Sequence, residues 1–410
     1  MNIIYVSSGC SEEKFEYLRT HGITKKLPQA QKYHQLMVDG LACSIHGTVD
    51  VVSAIPTNRS WTKKVFFRGE QENVENIAYY YIPFVNIPFL SQVSKYFAAK
   101  RVIKRICKSK KDVAIVCDVL NQSIADAARK VGESYNVPVV GIVTDVPGHT
   151  SGARRKSYNY LKRKIADFAE KSAKRKLVSY KSFLFLTEAM NEVANPNHCP
   201  YIVVEGQCDY KMSNSQKVEK SFPRVAMYAG GIHKEFGIER MVNAFLDADC
   251  DGWELHIYGD GNFQSELIKI CETTEKIKYF GVVGNNEVKE AQLRASLLLN
   301  PRLTDAEYVK YSFPSKTMEC MASGTPLLTT KLPGMPKDYY PYVFFFEDES
   351  IEGMKTAFQE VLSLNDNELF RLGASAKQFV IDNKNNKIQA SKLIDFISSL
   401  RIKGEYNEHR

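Results

Sequence analysis

The sequence predicts an α/β protein made of two parallel-sheet halves, both Rossmann-like. Three observations carry that expectation. The chain has 410 residues, too many for one ordinary domain and suited to two of about 200. Two apolar strand signals run straight into small-residue loops: Asn2–Ser8 into Ser7-Ser8-Gly9-Cys10-Ser11, and Val225–Ala229 into Gly230-Gly231, with a helix beginning near Ile238. A third pattern joins strand signals at Asp112–Val119 and Val137–Asp145 through a helical stretch from Asn121 to Tyr135, a βαβ unit that implies parallel strands.

In chain order, the loop holding Gly9 leaves the carboxyl end of the first strand, the edge where open α/β sheets bind ligands. A single glycine there serves equally well as a plain turn. A helical pattern covers Gln29–Ala42, and a strand covers Val49–Ile55. Ile77–Leu90 combines five aromatics with two prolines, and the prolines argue for an irregular apolar surface. Ser91–Lys111 then sets Val93, Phe97, Val102, Ile103 and Ile106 among eight Lys and Arg, the form of a helix lying in a membrane interface. The plainer alternative is a helix packed on the sheet with its charges solvated. Ala153–Ser182 is a second basic stretch, with eleven Lys and Arg and the aromatics Tyr158, Tyr160 and Phe168 between them.

The strand ending at Asp145 turns through Val146-Pro147-Gly148-His149 at the carboxyl edge. Asp145 and His149 are the titratable groups of that edge and so candidates for moving a proton, Asp145 first and His149 in reserve. The competing reading makes Asp145 a cap of the turn before Pro147. Phe183–Leu186 and Tyr201–Val204 close a first domain at residues 1–204, and the polar, aperiodic segment 205–224 reads as a linker. A second domain spans 225–385, and a last helix, Ile388–Leu400, with its polar tail occupies 386–410.

In that second domain, paired glycines between strand and helix let backbone approach a phosphate. Trp253–Tyr258 leads into Gly259-Asp260-Gly261, and Ile277–Val283 ends near Val282. The most informative stretch is Asn300–Pro336. Ser312 and Ser315 are possible caps of a helix, Pro314 sits near its first turn, and Gly324 stops it. On that helix Ser315, Lys316 and Glu319 share one stripe, and Met318, Met321 and Ala322 the opposite one. One face packs while the other meets a ligand: the helix start and Lys316 suit an anion such as a diphosphate, and Glu319 suits a sugar diol.

Composition narrows the classes. Nine unpatterned cysteines suggest reduced thiols and no zinc site. Neither a leader peptide nor a membrane-spanning run of about 20 apolar residues is expected. The net charge of +8 is uneven, because residues 1–200 hold 30 Lys and Arg against 17 Asp and Glu. A polyanion or an anionic membrane surface therefore meets the first half. Nucleic acid is disfavoured, since no helix-turn-helix, zinc or RNP-like pattern appears. Asp247-Ala248-Asp249-Cys250-Asp251 resembles a DxD metal motif but sits between a helix and a strand, where a solvated turn is expected.

SFPSKTMECMASGTPLLTTKLPGMP resembles the donor-site motif of retaining glycosyltransferases of family 4, which have the GT-B fold, and more narrowly a bacterial surface-polysaccharide branch. The resemblance implies two Rossmann-like domains facing each other across a cleft, with the C-terminal helix crossing back to the first. It implies hexosyl transfer with retention from a nucleotide-sugar, UDP- or GDP-linked, to a saccharide or lipid-linked acceptor. No bound metal and no permanent cofactor are implied, and the place is the cytoplasmic face of a membrane. In the family two glutamates eight residues apart grip the donor. Glu319 matches the second, at the ribose, and Tyr311 occupies the position of the first, leaving the sugar contact to Tyr311 or to backbone near Phe313. The family's Arg and Lys in the first glycine loop are replaced by Gly231 and Phe236, so Lys234, Lys316 and Arg302 are expected to supply the charge. The loops at Gly259, Asp260 and Val282 would border the base. Pro314 and Ser315 would open the helix at the diphosphate. The same departures motivate an alternative, a catalytically silent GT-B subunit that binds a partner enzyme or a polymer.

Overall fold

In the computed structural model, which describes residues 1–24, 29–148, 160–214 and 218–402, the strands assemble into two large sheets. Each sheet is the centre of its own unit. One unit is Met1–Gln207 together with the helix Asn386–Ile402, and the other is Cys208–Asn385.

The first unit contains β1 (Asn2–Ser7), β2 (Val49–Ser53), β3 (Phe66–Phe67), β4 (Glu70–Val74), β5 (Ile77–Tyr81), β6 (Phe84–Val85), β7 (Val113–Asp118), β8 (Val139–Val143), β9 (Phe183–Phe185) and β10 (Tyr201–Val203). Its sheet runs β10-β9-β8-β7-β1-β2-β5-β4, parallel throughout except that β4 returns antiparallel to β5. β3 and β6 pair separately as an antiparallel ribbon. The central strands are buried on both faces, which is why they read as unbroken runs of Ile, Val and Tyr. Its helices are α1 (Glu12–Thr20), α2 (Gln29–Ser44), α3 (Leu90–Ser109), α4 (Gln122–Tyr135), α5 (Tyr160–Leu177) and α6 (Ala189–Ala194).

One expectation is corrected here. Ile77–Leu90 is an irregular apolar surface only in its last part, where Ile87, Phe89 and Leu90 are exposed, because Ile77–Tyr81 is a strand inside the sheet with Tyr79 and Tyr81 buried. Pro83 and Pro88 follow that strand and so leave its ladder intact.

The second unit contains β11 (Arg224–Ala229), β12 (Trp253–Tyr258), β13 (Ile277–Gly281), β14 (Leu297–Asn300), β15 (Leu327–Thr330) and β16 (Phe344–Phe346), in the order β13-β12-β11-β14-β15-β16, all parallel. Its helices are α7 (Ile238–Ala248), α8 (Gln264–Thr273), α9 (Asn285–Arg294), α10 (Ser315–Ser323), α11 (Ile351–Leu362) and α12 (Asp366–Asn383). The chain winds from β11 to one side and resumes at β14 on the other, so the carboxyl ends of these two neighbours form the switch point of this sheet. The switch point of the first sheet lies between β1 and β7.

The closing helix α13 (Asn386–Ile402) packs in the first unit against α2. Ala390, Leu393, Ile397 and Leu400 enter that unit's core, Asn386 donates to Leu36 O at 3.1 Å, and Gln389 donates to Gly206 O at 2.7 Å. Gly40 of α2 makes this approach possible, because a Cβ there would stand 2.1 Å from Asn386 O. Gly40→Val is therefore expected to lower stability by about 1–3 kcal/mol and the melting temperature by a few degrees, in spite of removing a helical glycine. An unchanged melt would show that the helix pair tolerates separation.

Candidate functional site

The carboxyl edge of the second sheet is built by backbone packed on backbone. Gly230 N donates to Tyr258 O at 2.9 Å, Ile232 N to Asp260 O at 2.8 Å and Gly259 N to Gly281 O at 2.7 Å. Gly259 has φ +128°, and a Cβ on it would lie 1.8 Å from Gly230 O. The loops after β11, β12 and β13 are thus fused into one shelf whose upper surface is main chain. At one side of it Phe280 stacks on Tyr258 with centroids 4.5 Å apart, and Phe280 and Val282 are exposed, an apolar platform of the size of a heterocyclic base. Asp260 is exposed beside it.

On the other side of β11 stands the start of α10. Its helix is stopped by Gly324 at φ +79°, and Met318, Met321 and Ala322 are buried, as the sequence pattern requires. The expected serine caps are a correction: Pro314 is the N-cap residue and no side chain caps the first turn. The helix dipole therefore meets its surroundings without a side-chain acceptor there. Lys316 donates from Nζ to Ala229 O at 2.7 Å and lies 5.4 Å above the Tyr228 ring. Burial pushes its pKa down, the nearby Arg302 guanidinium adds to that, and Cys320 and Glu319 pull the other way. A Cβ at Gly230 would fall 1.8 Å from Nζ, so this ammonium fills the space that the glycine leaves.

Arg302, just beyond β14, is sandwiched by Phe236 at 5.7 Å and Tyr308 at 5.3 Å. Its Nε is buried with no hydrogen-bond partner among the described residues. Two cations and an uncapped helix start thus converge at the switch point, where an anion would relieve their mutual repulsion. Glu319 is half-buried one turn further along α10.

Two expected side chains fall elsewhere. The Lys234 ammonium is held by Glu239 at 3.0 Å and Glu266 at 2.6 Å, so it does not share its charge with Lys316 and Arg302 as expected. The short turn Lys234–Phe236 aims it at α7 and α8. The Tyr311 ring is buried, as is that of Phe313, so of the two expected sugar contacts the one left to this segment is main chain near Phe313. Sequence reasoning misses the contributions of Tyr228 and Phe236; the signal available is an aromatic at the end of β11 and another in the glycine loop.

In the first unit, Gly9 N donates to Ser7 Oγ at 3.0 Å in a tight turn at the end of β1. Asp145 lies just past β8, its carboxyl pKa raised by burial and then by the charge of Asp118. Asp118 ends β7 and faces His34 Nε2 at 3.2 Å, while Tyr5 Oη lies 2.6 Å from His34 Nδ1. The tyrosine hydroxyl and Nδ1 share a hydrogen bond, whereas Nε2 lies near the carboxylate without forming one. Asp118, His34 and Tyr5 are not singled out by the sequence reading, although a strand ending in Asp at a carboxyl edge is itself a signal. His149, the reserve candidate, and Arg154, Arg155, Lys156 and Tyr158 of the second basic stretch lie outside the described residues.

The DxD-like stretch is the end of α7 and the turn that follows it, with Lys276 paired to Asp249 at 2.6 Å. Among the described residues no group of three or more His, Cys, Asp or Glu is placed to hold a metal, and no helix is long and apolar enough to cross a membrane.

Residues 223–363 match the family described as Glycosyl transferases group 1. No curated protein matches the chain. Among solved structures, sucrose-phosphate synthase from Thermosynechococcus elongatus is similar at 12% identity, covering 98% of this chain and 99% of that one with a TM-score of 0.63. The lipopolysaccharide outer core galactosyltransferase WaaB in its apo form is similar at 14% identity, 98% and 100% coverage and a TM-score of 0.61. Anabaena HepE, solved in complex with UDP, is similar at 10% identity, 98% and 100% coverage and a TM-score of 0.59. At these identities the likeness concerns the fold, and the fold is GT-B.

Proposed function

We propose that the protein is a hexosyltransferase that takes a sugar from a UDP- or GDP-linked donor and passes it, with retention, to a saccharide or lipid-linked acceptor. The observation that carries this reading is the convergence of Lys316, Arg302 and the uncapped start of α10 at the switch point of the second sheet, beside the glycine shelf. That arrangement matches a diphosphate in charge and the Phe280–Val282 platform matches a base, the two ends of a nucleotide. The group 1 match over 223–363 covers these residues. HepE, a structural neighbour, binds UDP.

In this reading Lys316, Arg302 and the first-turn amides stabilise the negative charge that grows on the leaving diphosphate as the glycosidic bond breaks. Glu319 orients the ribose. Asp145 positions the acceptor hydroxyl or takes its proton. The acceptor belongs to a capsular polysaccharide, exopolysaccharide or glycolipid, and the basic first unit works against an anionic membrane surface on its cytoplasmic side. The second reading, a silent subunit, is favoured by two observations: Tyr311 replaces the expected glutamate with a buried ring, and Lys234 is committed elsewhere.

A thermal-shift panel of UDP, GDP, ADP and CMP with their sugars separates the two. A ligand at about 100 times its Kd is expected to stabilise the wild type by roughly 2.7 kcal/mol, and Glu319→Ala to lose most of that response. No response from any nucleotide would overturn the enzyme reading in favour of the silent subunit.

A further inference from the structure

The basic helix α3 does not present the face that its sequence pattern suggests. Ile103 and Ile106 are buried in the first unit, with Ala99 between them and the helix start. What faces outward instead is segregated along the helix axis. Leu90 (55% exposed), Val93 (54%) and Phe97 (63%) follow one another at helical spacing, with Phe89 (86%) just before them. One, two and three turns later the same strip continues as exposed Arg101, Arg105 and Lys108. Phe66 and Ile87, also exposed, flank the apolar end.

This end is rigid. Leu90 N donates to Pro88 O at 2.8 Å across Phe89, whose φ of 65° and ψ of −51° describe a γ-turn of the rare, strained hand. A bulky residue held there with its ring in the open is a conformation that the chain maintains against both backbone preference and hydration. Ser91 N is bonded to Ile87 O at 2.8 Å, Val85 N to Ser94 Oγ at 3.1 Å, and Lys95 Nζ packs 4.4 Å from the Phe84 ring centre. From Asn76 to Lys111 there is no Asp or Glu against eight Lys and Arg. Neither Arg101, Arg105 nor Lys108 is paired with a carboxylate among the described residues, though Arg105 lies over the Tyr80 ring at 5.5 Å.

We propose that the start of α3 is a wedge that enters an anionic bilayer end-on, with Phe89, Leu90, Val93 and Phe97 among the acyl chains and the Arg101–Lys108 strip at the level of the lipid phosphates. The distances agree: Leu90 to Arg101 is about 16 Å along a helix, comparable to half the hydrocarbon core of about 30 Å. An acidic partner protein would explain the cations but not the strained, solvent-facing phenylalanine at the tip. The proposal rests on the membrane-surface reading above and specifies how that surface is met.

The test is co-sedimentation of the full chain with vesicles of phosphatidylcholine alone and with vesicles in which about one lipid in three is phosphatidylglycerol, together with a Phe89→Trp variant in vesicles of brominated lipid. The wild type is expected to bind the anionic vesicles and to leave them partly at high salt. Phe89→Ser/Phe97→Ser is expected to bind about tenfold less or weaker still, with an unchanged melting temperature and an unchanged response to nucleotides. Bromines placed in the acyl chains are expected to quench the indole introduced by Phe89→Trp, which reads insertion without any loss-of-binding variant. Full vesicle binding by the double serine variant, or an unquenched indole in bound Phe89→Trp protein, would overturn the wedge while leaving the membrane reading in place. Wild type that ignores anionic vesicles would overturn both, and the nucleotide response would still decide the transferase reading separately.

Discussion

Lys316→Met is expected to lower kcat/KM by about 10²–10³-fold and to abolish stabilisation by nucleotides. The ammonium is buried, bonds a neutral carbonyl, and sits close enough to Arg302 for the two charges to disfavour each other. A diphosphate is the missing counter-charge, so the substitution removes an interaction that strengthens as the leaving group becomes more anionic. Free protein should not suffer: a buried charge is replaced by a side chain of similar length, and the melting temperature is expected to hold or rise. The sign with pH follows from the lowered pKa. Below its ordinary value of 10.5 the unfolded chain binds this proton more tightly than the fold does, so the free protein gains stability as pH rises through that window. Nucleotide affinity should move oppositely, falling in the same window because the charged form is what the phosphate needs. Retention of the nucleotide response in Lys316→Met would place the anion elsewhere.

Asp145→Asn is expected to lower kcat by about 10²-fold or more with little change in KM for the donor. Its raised pKa means that the folded protein holds the proton above the ordinary value of 3.8, so stability contributed by the protonated form is lost as pH rises through the window above that value. A base must be deprotonated, so activity should climb with pH across the same window. Because the charge of Asp118 helps to raise this pKa, Asp118→Asn is expected to shift that limb to lower pH, a movement that a merely structural role would not produce. Full turnover by Asp145→Asn would return the residue to the role of a turn cap.

Much of the architecture is legible in the sequence because burial on both faces writes itself into β1, β7 and β8 as apolar runs. The α10 segment is legible for another reason: Gly324 in a left-handed conformation and the buried Met318 and Met321 are local facts, and local facts survive in a pattern. α1 leaves almost no trace in the sequence, since Leu18 is its sole buried residue and its start depends on Ser11 accepting from Lys14 N at 3.1 Å. Lys234 is misplaced by sequence reasoning because its partner Glu266 is 32 residues away on another helix. His34 and Asp118 meet only through the order of strands, which no spacing in the sequence announces.

The seating of α13 against α2 also sets a timetable. A ribosome that has finished β10 must still make about 180 residues of the second unit before the helix that packs on Leu36 and Gly40 of α2 exists. At about 5–20 residues per second that interval is on the order of 10–35 s. Throughout it the nascent first unit carries an uncovered apolar seam, so the chain's hazard during synthesis is greatest where its finished form is most tightly closed.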